Sequence, residues 1–254
     1  MFHLKSLSKS FLVLTMVTAF TFSSIVPANA ATSPTKVKNS DTSLKKQTET
    51  FSNGMGGAYV SQEENTNNAD LIKLEATKKL AKNISIDAIQ PLAANWVNLP
   101  GTTYRYEQLD PYYCVPATMQ TILRYNNGTT PPTQDTIAKA MNFKSGSGVD
   151  FLKVAPYLNG VQTKNSYATH SKSAKDDMTY RINADISNYV VPTSIRIQVS
   201  NSSDWFYTTS GHALVANDIR SDKSEVQLVD PAAGYSWYTK TTSNLFKVFT
   251  HLAW

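Results

Sequence analysis

A chain of 254 residues with a single cysteine, Cys114, cannot close a disulfide within itself. Its fold must be held by apolar burial and hydrogen bonding alone, which requires a stretch long enough to enclose a core. The sequence offers one such stretch. From Trp96 to Trp254 the aromatic residues are dense and the hydrophobic periods clear. Residues 95–254 have a length typical of one domain, and no internal repeat divides them.

The residues ahead of this stretch read differently. Residues 1–30 have the layout of an export signal. Lys5 and Lys9 open it, the apolar run Phe11 to Phe22 is too short to span a bilayer comfortably, and Ala28-Asn29-Ala30 is a small-residue cleavage site. A secreted product is expected, extracellular or associated with the cell wall, with no membrane partner once the signal has left. Residues 31–94 are rich in Ser, Thr, Asn and Lys, and show no sustained period up to Asn68. Within them, LIKLEATKKLAKN sets Leu71, Leu74 and Leu80 on one face of a short helix. This segment is expected to be a low-complexity linker or a pro-segment docking on the next domain, with too few apolar residues to join its core.

Charge excludes one class of partner. The formal net charge of +5 becomes +3 when Lys5 and Lys9 leave with the signal. The remaining excess is scattered, with no basic block interleaved with aromatics, so nucleic acid is not an expected partner. One Cys and scattered His supply no metal-ligand set, and no cofactor is expected.

Helical patterns come first in the main stretch. Val115, Met119, Ile122 and Leu123 form a stripe that stops at Asn126-Asn127-Gly128, with Pro116 tolerable in the first turn. Thr133 to Met141 is a second helix, and Phe151, Val154, Ala155 and Leu158 mark a third closed by Asn159-Gly160. Met178, Ile182 and Ile186 mark a fourth. Strand patterns follow: Ile195, Ile197 and Val199 alternate, then His212–Ile219 and Glu225–Asp230 form a hairpin. Helices first and antiparallel strands later is an α+β arrangement, with N-terminal helices packed on a C-terminal antiparallel sheet.

An odd cysteine in an exported chain is a reactive thiol, an intermolecular bridge or a buried, inert hydrophobe. Its surroundings favour the first. Cys114 stands where its helix starts, and a helix N-terminus favours the thiolate, as does a neighbouring imidazolium. His212 is the candidate imidazole, able also to protonate a leaving amine. Gln108 lies six positions before Cys114, and a turn at Asp110-Pro111 brings its amide back as a donor to an oxyanion, beside the backbone N–H of Cys114. A hairpin turn centred near Ser221 sets Asp230 opposite His212, give or take a residue or two, where a carboxylate orients the ring. Asn217 and Asp218 compete for that place, but Asn217 points to the other strand face and Asp218 lies farther along. His170 falls in a polar loop and His251 near the terminus.

The set Gln108, Cys114 in YYCVPATMQ, His212 in GHALVAND and Asp230 in LVDPAAG resembles the C39-like branch of the papain-like cysteine peptidases. The resemblance covers about residues 95–254. It implies a papain-like cysteine peptidase fold. It also implies that Gln108 is the oxyanion-hole amide, Cys114 the nucleophile, His212 the general base and Asp230 the carboxylate that orients it. The substrate implied is a peptide or protein, with cell-wall peptide a candidate. Val115 stands where the family usually has Gly, which narrows the groove beside the nucleophile. A cell-wall amidase or acyltransferase using the same site, and a catalytically silent binding module, are the alternatives.

Overall fold

The strand patterns of the C-terminal half close into one antiparallel sheet of seven strands. Its order is β4 (Thr169–Ser171), β9 (Phe249–Ala253), β5 (Thr193–Val199), β6 (Thr209–Arg220), β7 (Glu225–Val229) and β8 (Trp237–Thr241). The remaining strand, β2 (Trp96–Asn98), pairs with the far end of β6. A computed structural model describes this arrangement for residues 56–61, 67–83 and 95–254. The expected export signal lies outside the described residues.

Side-chain alternation gives the sheet two faces and the protein two cores. Ile195, Ile197, Val199, Leu214 and Ala216 join one, beneath α5 (Lys175–Ala184) and α6 (Thr242–Val248). Ala213, Val215 and Val229 join the other with α2 (Cys114–Asn127), α3 (Gln134–Ala140) and α4 (Val154–Val161). The expected α+β class holds, with N-terminal helices on a C-terminal antiparallel sheet. The second cover, by α5 and α6, was not read from the sequence.

Helix α2 is buried from Cys114 through Leu123. Its polar residues are buried because each finds a partner. Thr118 Oγ1 donates to the Ala213 carbonyl at 3.2 Å, tying the helix to β6, and Gln120 donates to the Pro132 carbonyl at 2.7 Å. The helix ends where expected, at Gly128, whose left-handed backbone (φ 67°) returns its N–H to Arg124. The third expected helix differs. A 3-10 turn at Phe151–Lys153 leads into α4, which runs through Gly160 and stops at extended Gln162. There the Gln162 side chain accepts from the Lys164 and Asn165 N–H groups and substitutes for a glycine stop.

The segment before the main stretch departs furthest from expectation. Helix α1 (Asn67–Asn83) docks on the domain, but of the three leucines only Leu74 packs against the core, half-buried, while Leu71 is 55% exposed and Leu80 50%. Its buried face is Asp70, Lys73 and Thr77, at helical spacing. Asp70 accepts from Arg181 at 2.9 and 2.8 Å and from the Trp254 indole at 2.7 Å, and it pairs with His170 Nδ1 at 3.0 Å. Lys73 reaches Asn165 and Asp185, and Thr77 meets the Tyr189 hydroxyl. The domain holds a buried guanidinium and an indole N–H that need an acceptor, and the helix supplies a carboxylate. Burial raises the Asp70 pKa, but hydrogen bonds from His170 and Arg181 outweigh it and hold the carboxyl well below its usual range. A segment poor in apolar residues therefore joins the interior through charge. His170, expected in a polar loop, belongs to β4 and is buried in this network, and His251 is buried in β9.

Candidate active site

Two of the four residues singled out in the sequence lie on elements, and the other two lie in the segments that flank them. Cys114 is the first residue of α2, His212 lies near the start of β6, and Asp230 follows the last residue of β7. Gln108 precedes the turn into α2 and is hydrogen-bonded through its N–H to the Pro231 carbonyl at 2.8 Å, next to Asp230. The Thr118–Ala213 bond fixes the helix against the strand residue that follows His212.

His212 Nε2 and Asp230 Oδ1 are 2.8 Å apart, with both residues essentially buried. The carboxylate is saturated. Oδ1 also accepts from the Ala232 N–H at 2.9 Å, and Oδ2 accepts from the Tyr207 and Tyr238 hydroxyls at 2.6 and 2.8 Å. The Tyr207 ring stands edge-on to the imidazole, centroids 5.5 Å apart. Burial works to raise the Asp230 pKa, yet the His212 charge and these hydrogen bonds win and hold it below its ordinary value. Burial works against a charged His212 as well, but the Asp230 carboxylate and then the Cys114 thiol outweigh it, raising the ring to about 10. At neutral pH the site therefore favours an imidazolium over a buried carboxylate. With Nε2 engaged by Asp230, the nitrogen left to the thiol is Nδ1, which makes no hydrogen bond to any other described residue.

The hairpin pairs Val215 with Val229 and Ala216 with Leu228. Continued, that register sets Leu214 opposite Asp230, two residues from the expected pairing. A slip of two preserves the strand face, and so His212 and Asp230 still meet, diagonally. The turn centres between Asp222 and Lys223 rather than at Ser221, and the register shift between Ala216 and Asp218, which inserts Asn217 as an extra residue, brings the pairing back by one and restores the face. The two rival residues go elsewhere: Asp218 accepts the Leu99 N–H at 2.9 Å, and Asn217 Oδ1 has no hydrogen-bond partner among the described residues.

Gln108 is brought back toward Cys114 by the 110–113 turn, closed by Tyr113 N–H to the Asp110 carbonyl and by Tyr112 N–H to Asp110 Oδ1. Its amide nitrogen, however, donates to the carbonyls of Asp110 and Pro111, each at 3.1 Å. Donation to an oxyanion requires one of these bonds to be exchanged. Cys114 itself is fully buried, and its N–H is among the helix-start donors that no helix carbonyl can accept.

Sequence reasoning missed Tyr207, Tyr238 and Arg105. Arg105 clamps the turn after Asp230, donating to the carbonyls of Asp230 at 2.6 Å and Ala232 at 2.7 Å. Tyr238 pairs with Leu228 across the sheet, so recognising WYTKT as a strand beside β7 would have placed it near Asp230. Tyr207 and Arg105 lie in irregular segments, where no periodic signal marks them. Among the described residues, no group of His, Cys, Asp and Glu could hold a metal ion.

No curated protein matches the chain. Solved structures similar to it include the peptidase domain of Streptococcus ComA, a bi-functional ABC transporter involved in a quorum sensing pathway. That domain is 15% identical, with a TM-score of 0.42, covering 58% of this chain and 93% of its own. The peptidase domain of Streptococcus mutans ComA is 12% identical, with a TM-score of 0.35, covering 59% and 97%. Residues 102–254, which carry Gln108, Cys114, His212 and Asp230, match the family model for the Peptidase_C39 like family, and the chain belongs to that family.

Proposed function

We propose that this protein is a secreted cysteine peptidase in which Cys114, His212 and Asp230 hydrolyse a peptide bond through a thioester. The observation that carries the reading is the division of the imidazole: Nε2 is held by a saturated buried carboxylate, and Nδ1 is left to a thiol at a helix start. The Cys114 sulfur attacks the carbonyl carbon, and the C–N bond breaks as the His212 proton passes to the departing amine. Water then attacks the thioester, His212 takes its proton, and the thiol is restored as the acid product leaves. The Cys114 N–H and the Gln108 amide, once it exchanges a turn carbonyl for substrate, are the oxyanion donors. Asp230 keeps the ring in one tautomer and stabilises its charged form.

The layout of residues 1–30 supports export, and peptides or proteins of the wall or medium are the matching substrates. Protein recovered from the medium should begin at Ala31, as read by N-terminal sequencing; a mature chain still starting at Met1 would contradict export by cleavage. The peptidase reading is tested by incubating the protein with a mixture of unstructured peptides and comparing it with Cys114→Ala. Products that depend on Cys114 are expected from the protein or from its Gly57→Val variant, and their absence from both under prolonged incubation contradicts the reading.

A further inference from the structure

Cys114 is fully buried and His212 only 1% exposed, so no peptide substrate can reach them as the chain stands. A piece of the chain from ahead of the domain packs beside them. Within Gly56–Ser61, Ala58 shares a core cluster with Cys114, and Gly56, Ala58, Tyr59 and Val60 line a groove alongside. Gly56 bridges to Gly211, the residue before His212, and the Gly57 N–H donates to the Gly211 carbonyl at 3.0 Å. On the other side the Gly57 carbonyl accepts the Val149 N–H at 2.8 Å, and β1 (Ala58–Tyr59) pairs in parallel with β3 (Val149–Asp150). Buried Arg196 donates to the Ala58 carbonyl at 2.6 Å, and the Ser61 hydroxyl donates to Asp150.

The fit is close enough to demand glycine. A Cβ on Gly57 would run into the backbone of Tyr112, two residues before the nucleophile, and a Cβ on Gly211 would strike the Ala58 carbonyl. Ala58 is 1% exposed and lies in the same core cluster as Cys114. Its other side lines a groove of about 950 Å³, with Tyr59, Tyr112, Arg196 and Ser210, which Cys114 and His212 do not reach.

These contacts are those of an extended peptide laid along two strands: main-chain hydrogen bonds hold it, and only the closest positions restrict side chains. Arg196 adds a second sign. It is a buried cation whose pKa is lowered by burial against the support of the Asp150 carboxylate, and its Nε hydrogen is given to a strap carbonyl. We infer that Gly56–Ser61 is an intramolecular plug that occupies the peptide-binding cleft beside Cys114 and His212, and that its displacement exposes the nucleophile. The inference rests on the peptidase reading for its meaning, since what the plug excludes is the substrate. Being tethered, the strap competes at high effective concentration, and its weakening opens the site in proportion to the fraction displaced.

The test is the rate at which iodoacetamide alkylates Cys114 in the full chain, read by intact mass. Gly57→Val should react at least about tenfold faster than the parent. The peptide GGAYVS, added at about millimolar concentration, should slow it again. Deletion of Gly56–Ser61 alone, which retains α1, should match Gly57→Val. Equal rates in parent and folded variants overturn the proposal. So does loss of fold in both variants, by circular dichroism, because the segment is then a structural strand. Cleavage of unstructured peptides separates this from the peptidase reading. Faster alkylation without Cys114-dependent cleavage keeps the plug and refutes the peptidase, whereas equal cleavage by parent and Gly57→Val refutes the plug and keeps the peptidase.

Discussion

Asp230 does at residue scale what no single exposed carboxylate could. Four donors surround it, and the dry surroundings that would neutralise it instead strengthen its hold on His212. Because Asp230 raises the ring's pKa, Asp230→Asn should shift the alkaline limb of kcat/KM toward neutral pH as well as lowering its height; an unmoved limb would show that another group holds the imidazolium. The same linkage acts on stability. His212 has a folded pKa above its ordinary 6.5, so its contribution is complete below 6.5 and is lost as pH rises through about 10. The difference in melting temperature between parent and His212→Ala should shrink across that window. Tyr207→Phe removes one hydroxyl from Asp230 and leaves its ring edge on His212. It should cost activity about tenfold, the worth of one hydrogen bond to a charged group, and a wild-type kcat/KM would contradict the role given to that hydroxyl.

At the scale of elements, what could be read in the sequence was what repeats. The α2 stripe, its stop at Gly128 and the β5, β6 and β7 alternations announced themselves, and with them the ends on which Cys114 and His212 stand. The hairpin register differs by two because the turn centres between Asp222 and Lys223 and not at Ser221, and the bulge at Asn217, which leaves no pattern, takes back one residue and so keeps the face. Helix α1 was misjudged for a physical reason. Hydrophobic period finds apolar docking faces, and this helix docks by Asp70, Lys73 and Thr77 against partners as far along the chain as Trp254. Asp70→Ala leaves the Arg181 guanidinium buried without its carboxylate, and should lower unfolding free energy by about 3–5 kcal/mol in denaturant titration. Leu71→Ala and Leu80→Ala, on the exposed side, should stay within about 0.5 kcal/mol. Equal losses from all three would return the helix to an apolar docking mode.

Across the whole molecule, one fold joins two segments of unlike composition. The C-terminal domain supplies thiol, imidazole and carboxylate, and the polar stretch ahead of it supplies both a helix that completes a buried charge network and a strap across the cleft. Composition alone marked that stretch as a linker or a pro-segment, because neither a charged docking face nor a glycine-tight crossing has a hydrophobic signature. The meeting of His212 and Asp230 could be read because the proposed chemistry asks for particular residue types in order, whereas the tyrosines that hold Asp230 come from loop and strand positions with no such requirement.

The central claim, that Cys114 is a nucleophile served by His212, is tested most directly by cleavage rates measured in the Gly57→Val background. Cys114→Ala, His212→Ala and the double variant are compared on one peptide substrate. Residues acting as a unit are not additive, so each single change should lower kcat by at least about 10⁴-fold and the double change should cost little more. A Cys114→Ala rate within about tenfold of its parent, or losses that multiply in the double variant, would contradict the account.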